Sequence, residues 1–319
     1  MTHSVLITGG GGYVGGRIVH RLASREDIQV RIGSRQRDGV VPAWLACGSL
    51  VPLDMMSNES LASACSGIET IIHLAALNEI DSSSAPERAL LVNGLGTLKL
   101  LQAAERSGVR RFIYFSTAHV YGAPLAGLIT ERTLPRPVHP YAITHHIAED
   151  FVLAAHDRNA LTGIVVRLSN GYGAPADPSI NRWSLLVNDL CRQAVTSRVL
   201  TLRSSGLQRR DFIALDDIAR AAEHFIFLAP PLCGDGLFNL GGESPFQIIE
   251  IAEQIAVRCQ AVLGYTPEIC RPQPMPDEVC APLDFCIEKI KSTGFSLSGN
   301  MDKEIDATLL LCREAFGGY

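Results

Sequence analysis

The chain has 319 residues, 47% hydrophobic and 19% charged, with a formal net charge of -5. That is enough material for a large buried core, and the acidic balance, with no long basic run, argues against a nucleic-acid partner or an anionic membrane surface. No apolar run approaches the ~20 residues that span a bilayer, and Met1-Thr2-His3 leads straight into a strand pattern without the basic and apolar regions of a secretory signal.

The first half alternates short apolar runs with longer amphipathic ones. Strands are expected at Ser4–Thr8, Gln29–Gly33, Leu50–Leu53, Thr70–Leu74, Arg111–Ser116 and Gly163–Leu168. They are nearly continuous runs of Val, Ile and Leu, as parallel strands covered on both faces require. Helices are expected between them at Tyr13–Arg25, Leu61–Cys65, Arg88–Arg106 and Tyr141–Ala155. This alternation predicts an α/β fold, a doubly wound parallel sheet of Rossmann type. Beyond residue 170 the pattern loosens. A Gly/Pro/Ser/Asn-rich loop covers Gly171–Asn181, and a helix is expected at Trp183–Ala194. Arg209–Leu215 reads as a strand returning to the sheet, with a helix capped by Asp216 or Asp217 after it. Pro230–Gly236 reads as turn, Phe246–Cys259 as helix, and the proline-rich Tyr265–Asp284 as loop or short strand. The expected division is a dinucleotide-binding domain over 1–170, with returning segments near 209–228, and a smaller, mainly substrate-binding part over 171–319.

The glycine-rich turn carries the clearest chemistry. Ser4-Val-Leu-Ile-Thr-Gly-Gly-Gly-Gly-Tyr-Val-Gly15 runs from strand to turn to helix, with Gly9, Gly12 and Gly15 spaced GxxGxxG. The first glycine permits the tight turn, the second lets backbone approach a pyrophosphate, and the third allows close helix–strand packing. The phosphates then meet free N–H groups at the helix start. At the end of the second strand, where an NAD site usually carries a carboxylate, stands Ser34, followed by Arg35 and Arg37. Guanidinium groups there suit a 2′-phosphate, so NADP is expected over NAD. The alternative is that both arginines are simply solvated.

Nine cysteines are scattered along the chain with no CxxC pair, which reads as reduced thiols in a cytoplasmic protein. His139, His145 and His146 cluster in sequence. Residues 145 and 146 fall on different helix faces, however, and no carboxylate or cysteine completes a ligand set, so no metal site is expected.

Taken in order, these motifs resemble the extended short-chain dehydrogenases, specifically the NAD-dependent epimerase/dehydratase family that acts on nucleotide sugars. TGGGGYVG is similar to the family's cofactor loop, Asp54 to its acidic residue near the adenine, and His73-Leu-Ala-Ala76 to its fourth strand end. Asn93-Gly-Leu-Gly-Thr97 is similar to its helix motif, and Phe115-Ser-Thr-Ala-His-Val-Tyr-Gly122 to the strand with the catalytic Ser or Thr. Arg167–Gly173 resembles its RxxNxYG segment and Arg210–Asp217 its RDFxxVxD segment. The resemblance implies cofactor contacts from Gly9, Gly12, Tyr13, Val14, Asp54, Met55, Leu74, Ala75, Ala76, Asn93, Tyr141 and His145. It implies substrate contacts from Thr117, Ala118, His119, Asn170 and Arg210, the last at a nucleotide diphosphate. Hydride transfer at a sugar carbon would use Tyr141 for the hydroxyl proton and Thr117 as its hydrogen-bonding companion. Pairing of the Arg88–Arg106 and Tyr141–Ala155 helices between subunits implies a homodimer.

Two departures from the family pattern matter. YxxxK reads Tyr141-Ala-Ile-Thr-His145, so a group that titrates near ~6.5 replaces a permanent cation. His145 is then a working substitute, or it limits the protein to a slow or undemanding step, or catalysis is lost. His145→Lys is expected to keep or raise activity at neutral pH. In addition, Ala118 and His119 stand where the 4,6-dehydratases carry an Asp-Glu pair. Epimerisation or ketone reduction is therefore expected rather than dehydration. The alternatives are a weak or inactive cofactor-binding homologue, or a reductase of a non-sugar ketone or alcohol.

Overall fold

The computed structural model describes residues 2–35, 42–243 and 245–317. Strands β1 (His3–Thr8), β2 (Ile28–Ser34), β3 (Ser49–Pro52), β4 (Thr70–His73) and β5 (Arg111–Thr117) form as the apolar runs require. Further along come β6 (Gly127–Ile129), β7 (Thr162–Leu168), β8 (Asn170–Tyr172), β9 (Val199–Thr201) and β10 (Arg209–Ala214). The last are β11 (Leu237–Leu240), β12 (Pro245–Gln247), β13 (Glu268–Cys270) and β14 (Leu283–Phe285). Seven strands make one parallel sheet in the order β11-β7-β5-β4-β1-β2-β3.

Successive side chains of a strand point to opposite faces. Val5 and Ile7 thus enter the hydrophobic core on one face, and Leu6 enters the core on the other. Helices cover both faces: α1 (Tyr13–Ala23) and α8 (Leu215–Phe227) one, and α2 (Asn58–Cys65), α5 (Gly96–Arg106) and α6 (Pro140–Asp157) the other, while α3 (Glu79–Ser84), α4 (Pro86–Ala89) and α7 (Leu186–Thr196) pack away from the sheet. The strand order reverses between β1 and β4. Ligands of such sheets bind at the carboxyl ends of the strands at this point.

The helix expected over Arg88–Arg106 is interrupted. Between α4 and α5, residues Leu90–Leu95 form a π-turn that contains Asn93. Such single-turn bulges often serve functional sites. The other helices are α9 (Ile248–Leu263), α10 (Glu288–Lys291) and α11 (Met301–Phe316); α7, α9 and α11 pack around a separate apolar core. No helix of the described residues is long and apolar enough to cross a membrane.

Two expectations are corrected. Arg209–Ala214 does form a strand, but it pairs with β8 and β12, not with the large sheet. The strand that returns to the large sheet is Leu237–Leu240, beside β7. Neither Asp216 nor Asp217 caps α8, whose N-cap is Ala214 with no side-chain cap bond. Asp217 instead accepts hydrogen bonds from Arg220 and from the backbone and hydroxyl of Ser298.

Candidate functional site

A cavity of about 910 Å³ opens at the switch point between β1 and β4. One end is walled by the glycine turn. Gly9 has φ +73°, and a Cβ on Gly15 would stand 2.1 Å from the Gly9 carbonyl oxygen, so neither position accepts a side chain without moving backbone. Gly11 faces open space. Helix α1 starts with no side-chain cap and no acidic residue in its first turn. Its first N–H groups and the positive end of its dipole are thus left for an anion.

The cavity wall carries Gly9, Gly12, Tyr13, Val14, Ser34, Arg35, Asp54, Met55, Leu74, Ala75 and Ala76 at the cofactor end, and Thr117, His119, Tyr141, His145, Asn170 and Arg210 at the other. Arg37 lies outside the described residues. Asn93 and Ala118 are buried and do not line the cavity. The side-chain oxygen of Asn93 accepts the Leu77 N–H at 2.7 Å, and its amide donates to Thr144 Oγ1 at 3.0 Å. Tyr13 also serves packing, since its hydroxyl donates to the Gly173 carbonyl at 2.9 Å.

At the reacting end, Thr117 closes β5 and Tyr141 opens α6, whose N-cap His139 accepts the Tyr141 N–H through Nδ1. Thr117 and Tyr141 both line the cavity. Burial, followed by the charge of Glu79, pushes the Tyr141 phenol above its ordinary value; Arg182 and Thr117 oppose the rise. One helical turn on, His145 packs its ring 4.3 Å from that of Tyr141. Its Nδ1 is 2.7 Å from the Tyr114 hydroxyl, while Nε2 is buried with no hydrogen-bond partner. Burial, reinforced by His119, pushes His145 down to about 3, so the ring is neutral. A buried nitrogen left unmet at the cavity wall calls for a partner from a bound molecule. Together with the open glycine turn and the uncapped α1, it fits a bound dinucleotide.

Farther along, burial lowers the Arg210 guanidinium, and no acidic side chain among the described residues pairs with it. Asn170 lines the cavity but also donates to the Asp211 carbonyl at 2.8 Å. Burial lowers the His119 ring. Sequence reasoning missed Glu79 and Arg182, which face each other at the cavity wall with Nη1–Oε2 at 3.6 Å. Glu79 had one local signal, the helix start Asn78-x-x-Asp81, in which Asn78 caps α3. Arg182 sits in a loop and had none.

Comparison with known proteins agrees with this geometry. Residues 5–229 match the model of the NAD dependent epimerase/dehydratase family. The dTDP-D-glucose 4,6-dehydratase of Mus musculus is 27% identical over 272 residues, covering 79% of this chain and 71% of that protein. Among solved structures, a UDP-N-acetylglucosamine 4-epimerase from Methanobrevibacter ruminantium M1 in complex with UDP-N-acetylmuramic acid superposes with a TM-score of 0.81 at 21% identity, covering 99% of this chain and 100% of that one. A UDP-glucuronic acid 4-epimerase from Bacillus cereus in complex with NAD gives a TM-score of 0.81 at 21% identity, covering 99% and 98%. With the family model spanning most of the chain and the cofactor turn and Thr117–Tyr141 pair in place, the chain belongs to the NAD-dependent epimerase/dehydratase family, an enzyme family of nucleotide-sugar chemistry.

Proposed function

We propose that this chain is a nucleotide-sugar epimerase or 4-ketoreductase that uses Thr117 and Tyr141 for proton transfer. The observation that carries the reading is that Thr117 and Tyr141 stand together in the wall of the cavity that the glycine turn shapes for a dinucleotide. The bound nicotinamide supplies hydride exchange with a sugar carbon. Tyr141 takes or returns the proton of the sugar hydroxyl, and Thr117 holds the same oxygen. His145, through its unpartnered Nε2, would help hold the cofactor. Arg210, half-buried at the cavity wall with no carboxylate paired to it among the described residues, is suited to the substrate diphosphate, which a guanidinium binds through charge-assisted hydrogen bonds. That anion also argues against a non-sugar ketone as substrate. The dehydratases among the relatives do not set the reaction, since Ala118 and His119 offer no Asp-Glu pair for removing water.

The same reading includes NADP in preference to NAD, supported by Ser34 and Arg35 at the cavity wall where a carboxylate would select NAD. It also includes a division into 1–170 for the cofactor, to whose sheet α8 and β11 return, and mainly 171–319 for the substrate. The free thiols support a cytoplasmic setting, and the exposed apolar side chains on the π-turn and α6 support a homodimer.

One observation favours a second reading, a weak or inactive cofactor-binding homologue: His145 is neutral and gives Tyr141 no cationic neighbour at the family's lysine position. The two readings separate on one experiment. UDP-, GDP- and dTDP-sugars are added to the protein loaded with NAD or NADP, and absorbance at 340 nm is followed. A transient or lasting rise with one sugar series supports the enzyme; cofactor binding without any response supports the weak homologue.

A further inference from the structure

His145 stands where the family carries a lysine, and the two side chains differ in more than charge. An ammonium donates from every N–H bond it has, whereas a neutral imidazole donates from one nitrogen and accepts at the other. A histidine in this place is a dependable donor only if a neighbour fixes its tautomer. Tyr114 is that neighbour. It lies on β5 between β4 and β7, so its backbone is held from both sides. Its ring lies 5.7 Å from that of His145, with the planes 24° apart, and both side chains are buried. The Tyr114 hydroxyl is 2.7 Å from His145 Nδ1, its sole hydrogen-bond partner among the described residues. His145 lines the cavity, and its Nε2 is buried without a partner.

Counting hydrogens decides which group donates. If the Tyr114 O–H donates to Nδ1, the phenol and Nδ1 are both satisfied, the imidazole proton sits on Nε2, and that N–H is the one group left to be met. If Nδ1–H donated instead, the phenol hydrogen would be buried without an acceptor and the Nε2 lone pair without a donor. A doubly protonated ring would strand the same phenol hydrogen and bury a charge besides. Unmet buried polar groups are costly, so the first arrangement is the stable one.

We propose that Tyr114 is the positioning residue of His145: its hydroxyl holds the imidazole in the Nε2–H tautomer and so makes the ring a neutral donor to an acceptor oxygen of the bound dinucleotide. The inference rests on the cavity holding a dinucleotide, as read above. It also narrows what His145 does. With the Nδ1 lone pair occupied by Tyr114, the ring is not a base, and proton transfer stays with Tyr141, whose ring lies 4.3 Å away. A lysine at this position would need no such partner, so the contact matters because the family's cation has been replaced.

The test reads the ring first and the ligand second. In the full chain with nitrogen-15 histidine, the two nitrogens of His145 are assigned by the signals lost in His145→Ala, and the tautomer is read from long-range nitrogen–proton NMR correlations at neutral pH. Without cofactor, the parent is expected to show a protonated Nε2 and a bare Nδ1. Saturating NADP or NAD is expected to move the Nε2 signal more than the Nδ1 signal. Tyr114→Phe is expected to mix the tautomers and to raise the calorimetric Kd for the dinucleotide about fivefold, the share of one hydrogen bond. In the His145→Ala background the same substitution should leave Kd unchanged, which a tyrosine that only supports packing would not do. The proposal is overturned by a parent with its proton on Nδ1 or on both nitrogens, by an Nε2 signal that the bound dinucleotide does not move, by a tautomer that stays fixed in Tyr114→Phe, or by equal losses of affinity with and without His145. If Tyr114→Phe does not fold, the parent's tautomer and its response to the dinucleotide still decide. A protein that binds neither dinucleotide fails the cofactor reading instead, and the parent's spectrum tells the two failures apart.

Discussion

His73 and His145 are buried in the large-sheet half of the molecule, and burial pushes both down to about 3. For His73 the hydrogen bonds fix the neutral form. Thr97 donates to the Asn93 carbonyl at 2.6 Å, so its oxygen accepts from His73 Nε2 at 2.9 Å. Thr8 Oγ1 receives the N–H groups of Leu74 and Ala75 and donates to His73 Nδ1 at 2.6 Å. A proton added at Nδ1 would face a donor. The unfolded chain protonates near 6.5 and the folded chain only near 3, so this contribution is complete above pH 6.5 and is lost as pH falls through that window. Each histidine then costs about 1.4 kcal/mol per pH unit. Urea unfolding at pH 7, 6 and 5 is expected to show a falling midpoint. In His73→Gln the slope below pH 6 should be shallower by about 1.4 kcal/mol per unit; an unchanged slope would mean that His73 is charged in the fold.

Among the elements, α6 bears most on the site. Glu149, one turn beyond His145, is fully buried and paired with Arg167 of β7 at 2.6 Å; it also accepts from Ser116, the neighbour of Thr117. The Arg167 guanidinium lies 4.6 Å from the Tyr121 ring centroid. This buried pair fixes the helix that bears Tyr141 to the strand that bears Thr117. Glu149→Gln leaves Arg167 uncompensated and is expected to cost about 3–5 kcal/mol in denaturant unfolding. Elements of this kind were legible when their signal was local. The central strands stand out as apolar runs, and α1 and α6 as amphipathic stretches. Leu237–Leu240 was missed because four residues after a Pro/Gly turn carry little pattern, while Arg209–Ala214 shows a longer apolar run and pairs elsewhere. The π-turn at Leu90–Leu95 leaves the apolar spacing almost unchanged, so no sequence period betrays it. In the site, the glycine turn and the Thr117–Tyr141 pair could be read from spacing. The Glu79–Arg182 pair joins distant segments and exists only once the chain is folded.

At the scale of the molecule, the described surface carries neighbouring exposed apolar side chains. Leu90, Leu91 and Leu95 lie on the π-turn, and Ile143 and Phe151 lie on α6, which packs against it. Exposed apolar side chains gathered on two elements that pack together are what an interaction face offers. With two copies joined face to face, each would cover the other's patch through a twofold axis. Light scattering after size exclusion is expected to give twice the chain mass, and the pair Leu90→Arg with Phe151→Glu to give one chain mass without loss of helix content. A monomeric parent protein would remove the dimer.

The late return of β11 also has consequences for synthesis and folding. When the chain has been made only as far as β7, that strand ends the sheet with its outer N–H and C=O groups bare, and its partner is still about seventy residues away. Bare strand edges recruit other chains. A fragment cut at residue 229, where the family match stops, would hold the entire glycine turn and the Thr117–Tyr141 pair and yet keep that edge open. The later stretch of the chain supplies β11, which takes up the β7 edge and becomes the sheet's new border, where Lys289 of α10 donates to the Leu237 carbonyl.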